Sequence, residues 1–275
     1  VTDLEALARL IEQVTGNVIP EREMDRLGRV ASERAAASGQ GDVGRYVRFL
    51  ADRGAEDEWR ALLGHVTVNE SYLYRGAQQL QALGRDVIPG LAARHGRDGL
   101  RVWSAGCARG EEPVSLAMVL WEILGGGPVP WSVLGTDVDL NILDEARLGR
   151  FGERAVARLE PRLLERYFRP EGNRYRVVDR LMDRITFLPL NLVNDTTTPP
   201  GAPFHVVFLR NVLIYFNPTA QRRVVKRIAR LLTDDGVVFV GPGESLWQLR
   251  TGLEPRDLGD CFCYRLPTAG DVDPD

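Results

Sequence analysis

The stretch Leu100–Ser115, LRVWSAGCARGEEPVS, constrains this chain more than any other. An apolar run through Leu100, Val102 and Trp103 stops at small residues, turns at Gly106 and Gly110, and meets two carboxylates, Glu111 and Glu112. Leu116, Ala117, Val119, Leu120 and Ile123 then recur at helical spacing. A buried strand, a glycine turn and a helix are how an open α/β sheet builds a ligand crevice at the carboxyl ends of its strands. The glycines allow a tight turn and a close approach of ligand to backbone.

The same loop excludes common ligands. It holds no GxGxxG and no GxxxxGK[ST], so neither the dinucleotide fingerprint nor a P-loop is present. Carboxylates at the loop exit would repel a pyrophosphate but suit hydroxyls or a positive charge. S-adenosylmethionine carries ribose hydroxyls, an ammonium and a sulfonium, and no phosphate.

With 275 residues the chain can hold one large α/β domain and a smaller one. A net charge of -3 gives no nucleic-acid signature. Lys226 is the only lysine, which reads first as genomic bias. No apolar run approaches the roughly 20 residues of a membrane span, and no signal-peptide pattern opens the chain, so a cytoplasmic protein is expected. Opening on Val1 suggests that an initiator or tag was removed. Three cysteines fit a reducing compartment: Cys261 and Cys263 alternate on an expected strand and face apart, and Cys107 reads as a small spacer in the central loop. No metal site is expected, and His65, His95 and His205 give histidine catalysis little to build on.

Residues 1–66 read as a helical domain. Leu4, Leu7, Leu10, Ile11 and Val14 mark a first helix, Met24, Leu27 and Val30 a second, Tyr46, Phe49 and Leu50 a third, and Trp59, Leu62, Leu63 and Val66 a fourth. On the second, Arg22, Arg26 and Arg29 form a stripe that is either a solvated face or a docking surface for an acidic helical partner. Residues 67–95 are a linker with a polar-aromatic motif, VNESYLYR. Residues 96–267 form the sheet domain: after the central helix comes a strand ending on Asp137, an acid placed to accept bonds from two ribose hydroxyls. A helix and a hairpin turning at Gly172-Asn173 are inserted at about 151–183. Strands RITFLPLNL, FHVVFL, VVFVG and CFCYRL follow, and residues 268–275 are a tail. Arg210 and Asn211 end a buried strand, with Tyr215 within a turn. Arg222, Arg223, Lys226 and Arg227 read as a mostly outward, solvated helix face.

Together, VNESYLYR, RVWSAGCARGEEPVSLA, GTDVDLNILDEAR, LPLNL and FLRNVLIYF resemble the CheR-type chemoreceptor methyltransferases in order and spacing over nearly the whole chain. The resemblance implies a class I methyltransferase (Rossmann-like) fold: a seven-stranded sheet with a small inserted β-subdomain, preceded by an all-α domain. It implies a cytoplasmic protein-glutamate O-methyltransferase that uses S-adenosylmethionine, releases S-adenosylhomocysteine and esterifies glutamates on the helical bundle of chemoreceptors. Cofactor contacts are expected from Asn69, Ser71, Arg75, Ala105, Glu111, Asp137, Asn191, Leu192, Arg210 and Asn211, with Glu111 preferred over Glu112 by alignment. Tyr215 and Arg210 are the expected catalytic residues, and Arg22, Arg26 and Arg29 the receptor-docking face of a monomer. Arg94 and Arg97 are the candidates for orienting the substrate carboxylate.

Several positions depart from the family pattern. Ser71 replaces threonine, Tyr72-Leu73-Tyr74 replaces a phenylalanine pair, Arg109 replaces a small hydroxyl residue, and GPGES replaces a GHSE-like closing sequence. Arg109 either crowds the methionine end or points outward. The short hairpin suggests a protein that needs no receptor C-terminal pentapeptide tether. The alternatives are a methyltransferase for another protein in a chemotaxis-like pathway and a non-catalytic cofactor-binding regulator.

Overall fold

Four amphipathic helices at the N-terminus close on one another because each carries a single apolar stripe. In the computed structural model, which describes residues 2–52, 54–67, 70–194 and 196–267, these are α1 (Asp3–Thr15), α2 (Met24–Ala37), α3 (Val43–Ala51) and α4 (Glu56–Val66). Leu7, Ile11, Leu27, Tyr46 and Leu62 form their shared core. A capping box starts α1, with Glu5 N–H donating to Thr2 Oγ1 at 3.2 Å and Thr2 N–H to the Glu5 carboxylate at 2.9 Å. Gly16, in the left-handed conformation, stops it. The buried Glu58 is compensated by Arg34 at 2.6 Å and the Tyr46 hydroxyl at 2.7 Å.

The segment expected as a linker is largely ordered helix. Residues 77–95 form α5 (Ala77–Ala82), a π-helical turn (Leu83–Val87) and α6 (Ile88–His95). Leu80, Leu83, Val87, Ile88 and Leu91 are buried in the main core. Gly84, Pro89 and Gly90 broke up the helical period in the sequence, and packing against the sheet domain supplies what propensity lacks.

The α/β part runs β1 (Leu100–Ala105), α7 (Glu111–Leu124), β2 (Trp131–Asp137) and α8 (Leu140–Leu148). The insertion follows, with β3 (Arg150–Gly152), α9 (Glu153–Val156), α10 (Pro161–Tyr167), β4 (Phe168–Glu171), β5 (Arg174–Val177) and α11 (Asp179–Met182). Then come β6 (Ile185–Pro189), β7 (Phe204–Leu209), α12 (Pro218–Arg230), β8 (Leu232–Val240), β9 (Glu254–Asp257) and β10 (Phe262–Arg265). The seven-stranded sheet has the order β6-β2-β1-β7-β8-β10-β9, and β3-β5-β4 form the small inserted sheet. β6, β2, β1, β7 and β8 are parallel, whereas β10 pairs antiparallel with β8 and with β9. Parallel strands covered on both faces read as unbroken apolar runs, and all six residues of β7 are buried. Asp234, Asp235 and Gly236 lie inside β8, which starts ahead of the expected VVFVG run, and there the pairing with β7 shifts register between Phe204 and Val206. Among the described residues no helix is long and apolar enough to cross a membrane.

Candidate active site

The strand order reverses between β1 and β7, so the chain leaves their carboxyl ends in opposite directions and opens a crevice there. The glycine loop lines it. Gly106 has φ +88°, and a Cβ there would lie 2.4 Å from Val212 Cγ2, so no other residue fits without displacing the loop. The N–H groups of Gly106 and Cys107 donate to Thr136 O at 2.8 and 2.9 Å. Ala108, at φ +46°, turns its N–H onto Asp137 Oδ2 at 3.0 Å, and Asp139 N–H donates to Asp137 Oδ1 at 3.1 Å. Burial pushes the Asp137 carboxyl above its ordinary range against the pull of these amides. Each oxygen retains a second acceptor direction, which suits the two hydroxyls of a ribose. Burial also raises the Cys107 thiol well above its ordinary range, so it is a protonated spacer.

Two cavities meet at the loop. The larger, about 680 Å³, runs between the sheet and the helical bundle; Asp137, Val138, Leu190, Asn191 and Leu192 line one side, and Asn17, Ile19, Arg22, Arg26 and His65 line the other. The smaller, about 120 Å³, is lined by Ser71, Arg75, Glu112 and Arg210. Gly106, Ala108, Asn211, Ile214 and Tyr215 line both, so Tyr215 stands at the junction. Burial raises the Tyr215 phenol above its ordinary range, with the Arg75 charge opposing the shift.

Arg210 is buried at 7% exposure. Its Nε donates to Glu112 at 2.7 Å and its Nη1 to Gln79 Oε1 at 2.9 Å, while Ser104 Oγ donates to the other Glu112 oxygen at 2.7 Å. Glu112 therefore fronts the small cavity. Glu111, the sequence candidate, lies behind it, 3% exposed, with Oε2 unpartnered among the described residues and its pKa raised by burial. Helical geometry explains the difference: neighbours on α7 point about 100° apart, which alignment alone does not resolve.

Loops from three directions fix the turn after β7. Asn211 has φ +59°, and its N–H and that of Gly241 both donate to Glu244 Oε2 at 2.7 Å. Val18 N–H donates to Tyr215 O at 2.8 Å, Asn17 bridges to Phe216, and Asn217 Nδ2 donates to Glu12 at 2.6 Å. The end of α1 is thus part of the site wall. Arg227, expected on the solvated face of α12, is instead 4% exposed and donates to Asn191 O and Leu192 O, both at 3.0 Å. Arg222, Arg223 and Lys226 are exposed as expected. Asn191 Oδ1 accepts from Val193 N–H at 3.1 Å, and its Nδ2 donates to Val14 O.

Most sequence candidates thus converge: Ser71, Arg75 and Arg210 on the small cavity, Asp137, Asn191 and Leu192 on the large one, Asn211 and Tyr215 on both. Ala105 is wholly buried beneath the loop, and Asn69 lies outside the described residues. Arg94 and Arg97 are not at the site. Arg94 pairs with Asp235 at 2.6 Å near the amino ends of the strands, and Arg97 lies in the exposed turn before β1. Arg109 turns outward to Glu145 at 3.0 Å and lines neither cavity. Gln79, Glu244 and the 15–20 turn are the contributors the sequence left unmarked, although Glu244 stood in GPGES, already notable as a departure, and Glu112 was the carboxylate weighed second to Glu111.

Residues 69–258 match the SAM-binding domain of the CheR methyltransferases. The chain belongs to the CheR methyltransferase family. It is 34% identical over 247 residues to the chemotaxis protein methyltransferase of Escherichia coli K12, covering 88% of this chain and 84% of that one. It is 30% identical to chemotaxis protein methyltransferase 1 of Pseudomonas aeruginosa, covering 96% and 97% respectively. A probable biofilm formation methyltransferase, WspC of Pseudomonas putida, is 31% identical, covering 86% of this chain and 55% of its own length. The CheR chain is therefore an S-adenosylmethionine-dependent methyltransferase, and a crevice with an acid for a diol and no phosphate cradle fits that cofactor.

Proposed function

We propose that this CheR protein methylates glutamate side chains of chemoreceptors, with the adenosine end of the cofactor on Asp137, Asn191 and Leu192 and the methionine end near Ser71, Arg75, Arg210 and Glu112. The position of Tyr215 on the wall common to both cavities carries the proposal. When bound, S-adenosylmethionine supplies an electrophilic methyl on a sulfonium. A glutamate carboxylate is ionised at neutral pH, so the protein need not remove a proton. Its residues have to align the carboxylate and exclude water. Tyr215, kept protonated by its raised pKa, can donate to one carboxylate oxygen. Arg75, from the facing wall, can hold the substrate without a buried ion pair, since it is only partly buried.

The route for a receptor helix is supported by Arg22, Arg26 and Arg29, all exposed, the first two on the cavity wall. Exposed Ile214, at 56%, lies at the same mouth. The hairpin β4–β5 turns in two residues at Gly172, φ +61°, which supports a protein that needs no pentapeptide tether. We assign residues 1–66 as a receptor-facing domain, 67–95 as the cofactor-contacting connection and 96–267 as the methyltransferase domain; the 268–275 tail lies outside the described residues. The likeness to WspC favours one second reading, a receptor-like target outside chemotaxis. Tritiated methyl transfer to a receptor cytoplasmic fragment, released by base as methanol, tests the proposal. Arg22→Glu, Arg26→Glu and Arg29→Glu together should raise KM for receptor about tenfold or more, with Arg29→Glu alone, which lines neither cavity, leaving cofactor affinity intact. Label on a residue other than glutamate, or an unchanged KM, would refute it.

A further inference from the structure

The turn that carries Ser71 and Arg75 is conformationally costly. Tyr74 has φ +61°, unfavourable for a residue with a bulky side chain, and Gly76 follows at +71°. Such a turn persists only where its surroundings over-determine it. Leu73, fully buried, donates its N–H to Ala155 O at 3.0 Å. Tyr74 N–H donates to Ser115 Oγ at 2.9 Å, and that hydroxyl donates to Glu111 O at 2.6 Å. Ala155 belongs to the insertion, on α9. The same insertion also sends Arg158 to the turn, with its guanidinium 4.5 Å from the Tyr72 ring centroid. Arg75 places its own guanidinium 5.8 Å from that ring, and its Nη1 donates to Glu70 O at 3.0 Å.

A ring shared by two cations restricts both. Its π-face attracts each guanidinium, while their like charges disfavour any rotamer that swings Arg75 toward Arg158. Tyr72 and Glu70 O hold the guanidinium of a long, flexible side chain that lines the small cavity, and Arg158 shares the ring that holds it.

We propose that Tyr72 and Arg158 are positioning residues for Arg75, so that the inserted subdomain sets the geometry of the methyl-transfer junction from outside it. This rests on the reading of Arg75 as a group that acts at that junction. The test uses the full chain, with kcat/KM for methyl transfer to a receptor fragment, calorimetric affinity for S-adenosylhomocysteine, and thermal unfolding.

Arg158→Ala, at an exposed position, and Tyr72→Ala should each lower kcat/KM about 3- to 30-fold, the range of one cation–π contact. The unfolding midpoint of Arg158→Ala should not change. Tyr72→Phe and Arg158→Lys should recover most of the loss. In an Arg75→Ala background both effects should vanish, which a merely structural role would not produce. Arg158→Ala within twofold of the parent, or a full additional loss in the Arg75→Ala background, overturns the proposal. An Arg75→Ala protein with parental activity would instead overturn the underlying reading of Arg75, and the proposal with it.

Discussion

Glu244 is the residue whose replacement best separates site geometry from fold. One of its oxygens takes the N–H groups of Asn211 and Gly241, both at 2.7 Å, and the other lies 3.4 Å from Ile214 N. Charge-assisted bonds of this kind contribute about 1.5–3 kcal/mol each, and neutral ones about 0.5–1.5. Glu244→Gln keeps the shape and an acceptor but loses the charge, so the two short bonds together should weaken by about 1–3 kcal/mol. The loss falls on the loop that holds Asn211 at φ +59° and carries Tyr215, not on the sheet core. Cofactor affinity and kcat/KM should therefore fall by roughly 5- to 100-fold. Far-ultraviolet circular dichroism should be unchanged, and calorimetry with S-adenosylhomocysteine beside a radiolabel transfer assay reads both quantities. Affinity and turnover within twofold of the parent would refute the idea that this carboxylate holds the site together.

Two further predictions concern charged groups. Arg109→Ser should alter cofactor affinity less than twofold, because the side chain pairs outward with Glu145 across an exposed surface; a gain of tenfold would mean that it crowds the pocket. His205, buried on β7 and accepting from Arg101 N–H at 3.1 Å, is pushed down to about 4 by burial and by the charges of Arg101 and His95. The unfolded chain takes up that proton first. Stability is thus complete above about pH 6.5 and declines as pH falls toward 4, by up to about 3 kcal/mol. Urea unfolding of the parent and of His205→Asn at pH 7 and 5 checks this: the parent should lose stability over that interval and the variant should lose less. Equal losses in both would contradict it.

The central strand, the glycine loop and Asp137 were legible because their signals are local: apolar run, turn residues and an acid at a strand end. The strands themselves were legible as apolar runs, β7 most clearly because all six of its residues are buried, whereas their order across the sheet was not read from the sequence. Gln79 and the helices at 77–95 were not legible, because Gly84, Pro89 and Gly90 mask a period that tertiary packing restores. Arg227 illustrates a different limit. A cation on an otherwise outward face reads as solvated, and only the fold reveals the carbonyls of Asn191 and Leu192 that it satisfies. The choice between Glu111 and Glu112 depended on the rotation of α7, which no pattern of residue types contains. The helical bundle looked like a separate module because its own core is self-consistent, yet the turn after α1 pairs with Phe216 and so belongs to the site wall.

The most direct test of the account is calorimetric titration with S-adenosylmethionine and S-adenosylhomocysteine beside Asp137→Ala. Two ribose hydroxyls on one carboxylate, each bond contributing about 1.5–3 kcal/mol, predict micromolar binding to the parent and a loss of roughly 100-fold or more in the variant. Equal affinity in the two proteins would contradict the placement of the ribose on Asp137, and binding of neither ligand to the parent would contradict the site as a whole.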